Sequence, residues 1–132
     1  MSEARSCVLL VDDEAEQIEL YRYGLEQEGF IVIDATDGRA AIAQAQSANP
    51  DAIVLDLRMP DMDGWQVCEH LKADSRTSRI PIVILTAAAS PTLGEEAEQA
   101  GCAAFLIKPC YPSDLARALR AVMKPGQPKF GV

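Results

Sequence analysis

A single histidine, His70, stands in the whole chain, and none of its four cysteines has a close cysteine neighbour. Without a second histidine, His70 is a poor choice for a catalytic base or a phosphohistidine site. Cys7, Cys68, Cys102 and Cys110 are spaced too widely for the paired ligands of a zinc site. Long apolar runs are also lacking. The opening "MSEARSCVLLVDD" carries an apolar stretch only as long as a strand, too short for a secretory leader or a membrane span. The expectation is therefore a cytoplasmic chain with reduced thiols, each a small packing residue, and no membrane partner. Positive charge is scarce: 12 Lys and Arg face 20 Asp and Glu, for a net charge of −8. Nucleic acid is a polyanion held by Lys and Arg, so no direct nucleic-acid contact is expected. Repeats and low-complexity tracts are absent too.

What is present is a rhythm. Five short apolar runs, "CVLLV" (7–11), "FIVIDA" (30–35), "AIVLDL" (52–57), "IPIVILTA" (80–87) and "AFLIK" (104–108), are each followed by a helix-like segment. Continuously apolar strands are covered on both faces, the mark of a parallel sheet between two helical layers. Gly29 closes the first helix, Asn49-Pro50 stops the second, and Asp63 caps the third. Pro91 and Pro112 are expected in the first turns of the fourth and fifth. The fourth helix, with Gly94 and little but Ala and Glu, is expected to be short. The sum is one doubly wound (βα)5 domain with strand order 2-1-3-4-5. Ligands of such folds sit beyond the carboxyl ends of the strands, where the order reverses. The 132 residues divide into a domain over 1–124 and a Pro/Gly-rich tail or linker over 125–132.

The strand ends carry chemistry. Strand 1 finishes at Asp12-Asp13, strand 3 at Asp56, strand 4 at Thr86 and strand 5 at Lys108; Asp34 ends strand 2 at the sheet edge, away from the crevice. Two carboxylates about 4 Å apart repel by roughly 4 kcal/mol at an effective dielectric of 20. A cation answers that repulsion, and hard oxygen ligands suit Mg²⁺. An aspartate can act as the nucleophile for a phosphoryl group. Asp56, at the end of the central strand, is the best candidate, with the Thr86 hydroxyl and Lys108 ammonium placed to bind phosphoryl oxygens. The stretch "RMPDMDG" (58–64) would then turn the backbone around the metal. Trp65, the lone tryptophan, is expected near this site.

The segments "LLVDDE", "IVLDLRMPDMDGW", "IPIVILTA" and "FLIKP", in that order, resemble a response-regulator receiver (CheY-like) domain over roughly residues 5–124. The resemblance implies a flavodoxin-like fold and a signalling switch rather than a turnover enzyme. It implies Asp56 as phosphoacceptor, Asp13 as a direct Mg²⁺ ligand (Mn²⁺ substituting), Asp12 as a ligand through water, and the Arg58 backbone carbonyl as the third protein ligand. Thr86 and Lys108 would sense the phosphoryl group, Phe105 would be the aromatic switch residue, and the Lys108–Pro109 bond would be cis. The implied partners are a histidine kinase or histidine phosphotransfer protein, and an output protein or domain bound through helix 4, strand 5 and helix 5. Dimerisation through that surface is a further expectation.

Each feature has an ordinary reading by itself: Asp12 and Asp13 as helix caps, Thr86 as a strand former, Lys108 as a solvated charge, Phe105 as core, "MPDMDG" as a turn. Their joint position at four strand ends is what those readings leave unexplained. A flavodoxin would need a Ser/Thr/Gly-rich phosphate loop where "DDEAE" stands. A haloacid-dehalogenase-like phosphatase would need a second Asp where Arg58 stands. A receiver-like interaction module that is never phosphorylated would have no use for the intact acidic set.

Overall fold

The five apolar runs become the five strands of one parallel sheet in the computed structural model, which describes residues 5–123. Strands β1 (Cys7–Val11), β2 (Ile31–Ala35), β3 (Ala52–Leu55), β4 (Ile82–Thr86) and β5 (Ala104–Ile107) alternate with helices α1 (Ala15–Gln27), α2 (Gly38–Ala48), α3 (Gly64–Ala73), α4 (Leu93–Gln99) and α5 (Pro112–Met123). The order across the sheet is β2-β1-β3-β4-β5, the doubly wound, flavodoxin-like arrangement. The tail over 125–132 lies outside the described residues.

Side chains alternate across a strand, so a run that is apolar throughout supplies two cores. Val8, Leu10, Val54, Val83 and Leu85 pack against Ile18, Tyr21 and Leu25 of α1 and Leu115 and Leu119 of α5. Leu9, Val11, Ile53, Leu55, Ile82 and Ile84 face the other way, onto Ala41 and Ala45 of α2, Val67 and Leu71 of α3, and Leu93 and Ala97 of α4. Each fully buried Leu or Ile contributes about 1.5–3 kcal/mol. That sandwich holds the strand ends still.

The helix punctuation is local chemistry. Gly29 (φ 99°) and Asn49 (φ 49°) adopt the left-handed conformation just past α1 and α2. Asp63 Oδ1 accepts the Gln66 N–H at 2.9 Å while the Gln66 side chain accepts the Asp63 N–H at 3.0 Å, a reciprocal cap on α3. Pro112 is the first residue of α5. Pro91 does not occupy the first turn of α4, contrary to the sequence expectation, because the helix begins at Leu93. Leu93 is the first side chain after β4 to bury against the second core, and the chain from 87 to 92 is spent leaving the sheet. α4 is seven residues long, with no side-chain cap at Thr92. Asp34, on the edge strand β2, is ion-paired to Arg22, which also donates to the Val32 carbonyl at 2.8 Å. Among the described residues, no helix is long and apolar enough to cross a membrane.

Candidate phosphoacceptor site

The carboxyl ends of β1, β3, β4 and β5 open into one cleft of about 570 Å³, lined by Asp13, Asp56, Arg58, Thr86, Ala87, Lys108 and Pro109 among others. Asp56 and Leu57 stand just past the last ladder residue of β3, so the strand is shorter than the apolar run. The backbone N–H of Asp56 still donates to Val11 O at 3.1 Å, which fixes it beside Asp12. Asp12 is 3% exposed and Asp56 8%, whereas Asp13 reaches solvent. Carboxylate oxygens of the three lie within 4.8 Å of one another.

Lys108 enters from β5. Its ammonium donates to Asp12 Oδ2 at 2.6 Å and to Asp56 Oδ2 at 3.3 Å. Burial alone would lower its pKa, but the bond to Asp12 and the charges of Asp56 and Asp12 hold it above the ordinary lysine value. One ammonium among three close carboxylates leaves the cluster short of positive charge. A hard divalent cation fits that deficit, since it needs only one or two carboxylates and keeps waters on its other positions.

Thr86, wholly buried at the end of β4, accepts the Ala88 N–H on Oγ1 at 3.1 Å. Its own carbonyl takes the Lys108 N–H at 2.9 Å, so the hydroxyl and the ammonium are held on adjacent strands. The Lys108–Pro109 bond is cis. Beyond it the Tyr21 hydroxyl donates to Cys110 O at 3.2 Å and ties this turn to α1. The Arg58 N–H lies 3.3 Å from Asp56 Oδ1, and its side chain is exposed at the cleft wall.

Gly64 explains the sharp turn after Asp56. A Cβ there would lie 2.8 Å from both Asp56 O and Leu57 Cα, so only glycine lets α3 start directly against the strand end. The Gly64 N–H closes the turn on Leu57 O at 2.9 Å.

The residues read from the sequence at four strand ends, Asp12, Asp13, Asp56, Thr86 and Lys108, meet at this one place. The sequence model of the family described as response regulator receiver domain matches residues 8–120. The chain belongs to the response-regulator receiver family. Receiver domains are signalling switches of two-component systems rather than turnover enzymes, and they bind Mg²⁺ in an acidic pocket. This receiver is 36% identical over 117 residues to the phosphate regulon transcriptional regulatory protein PhoB of Escherichia coli K12, covering 89% of this chain and 51% of that protein. It is 33% identical to the alkaline phosphatase synthesis transcriptional regulatory protein PhoP of Bacillus subtilis, over 89% of this chain and 48% of that one. The chain thus spans about half the length of these relatives. The solved chemotaxis protein CheY4 of Vibrio cholerae superposes with a TM-score of 0.84 at 34% identity, covering 90% of this receiver and 99% of CheY4.

Other sequence expectations fall differently on this receiver. Trp65 does not line the acidic cleft. It borders a separate groove with Asp63, Glu69 and Lys72. Phe105 is half-buried and sits outside the cleft; a Cβ on Gly94 would come 3.3 Å from its ring. Two features escaped sequence reasoning. Cys68 of α3 and Cys102 before β5 bring their Sγ atoms to 3.5 Å in the core, and the hydrogen bond between them, with burial, pushes the Cys68 thiol up. Asp61, read as part of a turn, binds the start of α2. Neither pairing leaves a local sequence signal.

Proposed function

We propose that Asp56 takes a phosphoryl group from the phosphohistidine of a histidine kinase or histidine phosphotransfer protein. The observation that carries this reading is the buried Asp56 carboxylate, clustered with Asp12 and Asp13 and bonded to Lys108. An Asp56 oxygen attacks phosphorus, the P–N bond breaks, and the imidazole nitrogen keeps the electron pair. Mg²⁺ would be held by Asp12, Asp13, Asp56 and the Arg58 carbonyl, and when bound it neutralises charge on the phosphoryl oxygens. Lys108 donates to one phosphoryl oxygen. Thr86 has given a lone pair to Ala88 and keeps its proton to donate to another. Ala87 is small and exposed at the cleft wall, which leaves a donor protein room to approach.

Phosphorylation then biases two conformations by its differential contacts. Moving a population from 1:99 to 99:1 takes about 5.5 kcal/mol. Two or three charge-assisted hydrogen bonds, each about 1.5–3 kcal/mol, are of that size. Thr86 moving toward the phosphate opens space for Phe105 and shifts the surface of α4, β5 and α5 toward an output protein, an attached domain or a second copy. The net charge of −8 suits a protein partner rather than direct contact with nucleic acid. The reading places the chain in the cytoplasm, with kinase phosphohistidines.

Acetyl phosphate with Mg²⁺, followed by intact-mass measurement, tests the core of this reading. The expected result is one phosphoryl adduct on the unmodified chain and none on Asp56→Asn. An equal adduct on Asp56→Asn, or none on either, would overturn it.

A further inference from the structure

Two carboxylates from different parts of the chain share the first N–H groups of α2. Asp37, the helix's own N-cap, takes the Ala40 N–H at 2.8 Å. Asp61, from the β3–α3 loop, takes the Gly38 N–H on Oδ1 at 2.9 Å and the Arg39 N–H on Oδ2 at 3.1 Å. The Gly38 bond, and then that of Arg39, hold the Asp61 carboxyl below its ordinary pKa. The same loop is seated a second time by Met62. A Cβ on Gly38 would lie 2.2 Å from Met62 Cγ, so the Met62 side chain fills space that glycine leaves.

Asp37 already caps α2 through Ala40, so the two further bonds from Asp61, to the buried Gly38 and the exposed Arg39, join the helix start to a different part of the chain. The benefit falls on the loop. Between Asp56 and Asp63 the chain has no regular structure, and it carries Arg58, whose N–H bonds Asp56. A carboxylate on a helix N-terminus gains from charge-assisted bonds and the helix dipole, which suits it as an anchor.

We propose that Asp61 is a positioning residue, fastening the β3–α3 loop to α2 so that the Asp56 carboxylate and the Arg58 carbonyl stand at a fixed spacing for a divalent cation. The proposal deepens, and rests on, the reading of the cleft as a Mg²⁺-dependent phosphoacceptor site.

Mg²⁺ titration calorimetry on the full chain tests it, alongside amide hydrogen exchange over residues 57–63 and melting in chelator. Asp61→Ala is expected to bind Mg²⁺ roughly tenfold more weakly, the lower end for a partner that orients metal ligands. Its loop amides exchange faster. Asp61→Asn, which keeps one acceptor oxygen, falls between. The loss persists in roughly 1 M salt, where the Debye length of about 3 Å screens simple charge attraction. Affinity of Asp61→Ala within twofold of the unmodified chain would overturn the proposal. So would an equal loss in both variants that vanishes at high salt, since that is charge alone. A lowered melting temperature with unchanged Mg²⁺ affinity would assign Asp61 to the stability of α2 only. No Mg²⁺ binding by the unmodified chain would overturn the phosphoacceptor reading itself, and this proposal with it.

Discussion

The Lys108 ammonium stands 2.6 Å from Asp12 Oδ2, joining the end of β5 to the end of β1 across β4 and β3. It is at once a structural tie and the counter-charge of the acidic cluster. Lys108→Met leaves Asp12 and Asp56 buried without it, a change worth roughly 3 kcal/mol where a buried pair loses one partner. In chelator the variant should melt lower. Added Mg²⁺ should raise its melting temperature more than it raises that of the unmodified chain, since the cation supplies the missing positive charge. Equal Mg²⁺-induced shifts would show that ammonium and metal do not share the same carboxylates.

The raised Lys108 pKa sets the alkaline side of that tie. The ion pair contributes fully below the ordinary lysine value of 10.5 and is lost as pH rises through the higher folded value. Between pH 6 and 9 the difference in stability between Lys108→Met and the unmodified chain should therefore stay flat in denaturant titrations.

Gly64 and Gly29 separate two reasons for glycine. Gly64→Ala drives a Cβ to 2.8 Å from Asp56 O and should cost about 1–3 kcal/mol while also slowing phosphorylation by acetyl phosphate. Gly29→Ala meets nothing within 4 Å but sits at φ 99°. It should cost about 1 kcal/mol, with the phosphorylation rate unchanged. Urea melts and adduct formation rates read both. A normal rate in Gly64→Ala would dissociate the start of α3 from the placement of Asp56.

Arg58 is exposed at the cleft wall, and its side chain can lie over a phosphoryl group on Asp56. Arg58→Ala should keep Mg²⁺ affinity, because the ligand proposed at this position is the backbone carbonyl, and should shorten the aspartyl-phosphate lifetime severalfold by admitting water. An unchanged hydrolysis rate, followed by intact mass after removal of acetyl phosphate, would remove this role.

Asp74, the residue after α3, receives Arg76 side-chain and backbone bonds, with Gln46 of α2 adding another, and its carboxyl is held at about 2 against an ordinary 3.8. A depressed acid pKa contributes stability above the ordinary value and loses it as pH falls through the folded one. Asp74→Asn should thus be less stable than the unmodified chain by a constant amount above about pH 5. That gap should close as the pH approaches 2. A gap that persists at pH 2 would mean that the carboxylate charge is not its source.

Much of this was legible because the determinants are local or periodic. Strands buried on both faces announce themselves as unbroken apolar runs, and the runs of 7–11, 52–57 and 80–87 finish beside the residues proposed to carry the chemistry, Asp12-Asp13, Asp56 and Thr86. Boundaries were less legible. Pro91 suits a first helical turn by its fixed φ, yet the helix waits for Leu93, since burial rather than propensity sets where α4 can begin. Trp65 adjoins the "DMDG" turn in sequence but lines a different groove. Asp61 and the Cys68–Cys102 contact depend on how α2, α3 and the turn before β5 stack, which no single segment encodes.

The depth of the cysteines has a practical consequence. Cys68 and Cys102 are sealed in the core, while Cys7 and Cys110 are only half covered. An alkylating reagent therefore meets two accessible sites and two that react only when α3 parts from the turn before β5. The ratio of slow to quick labelling is a clock for the opening of this half of the molecule, built into the chain without any added probe.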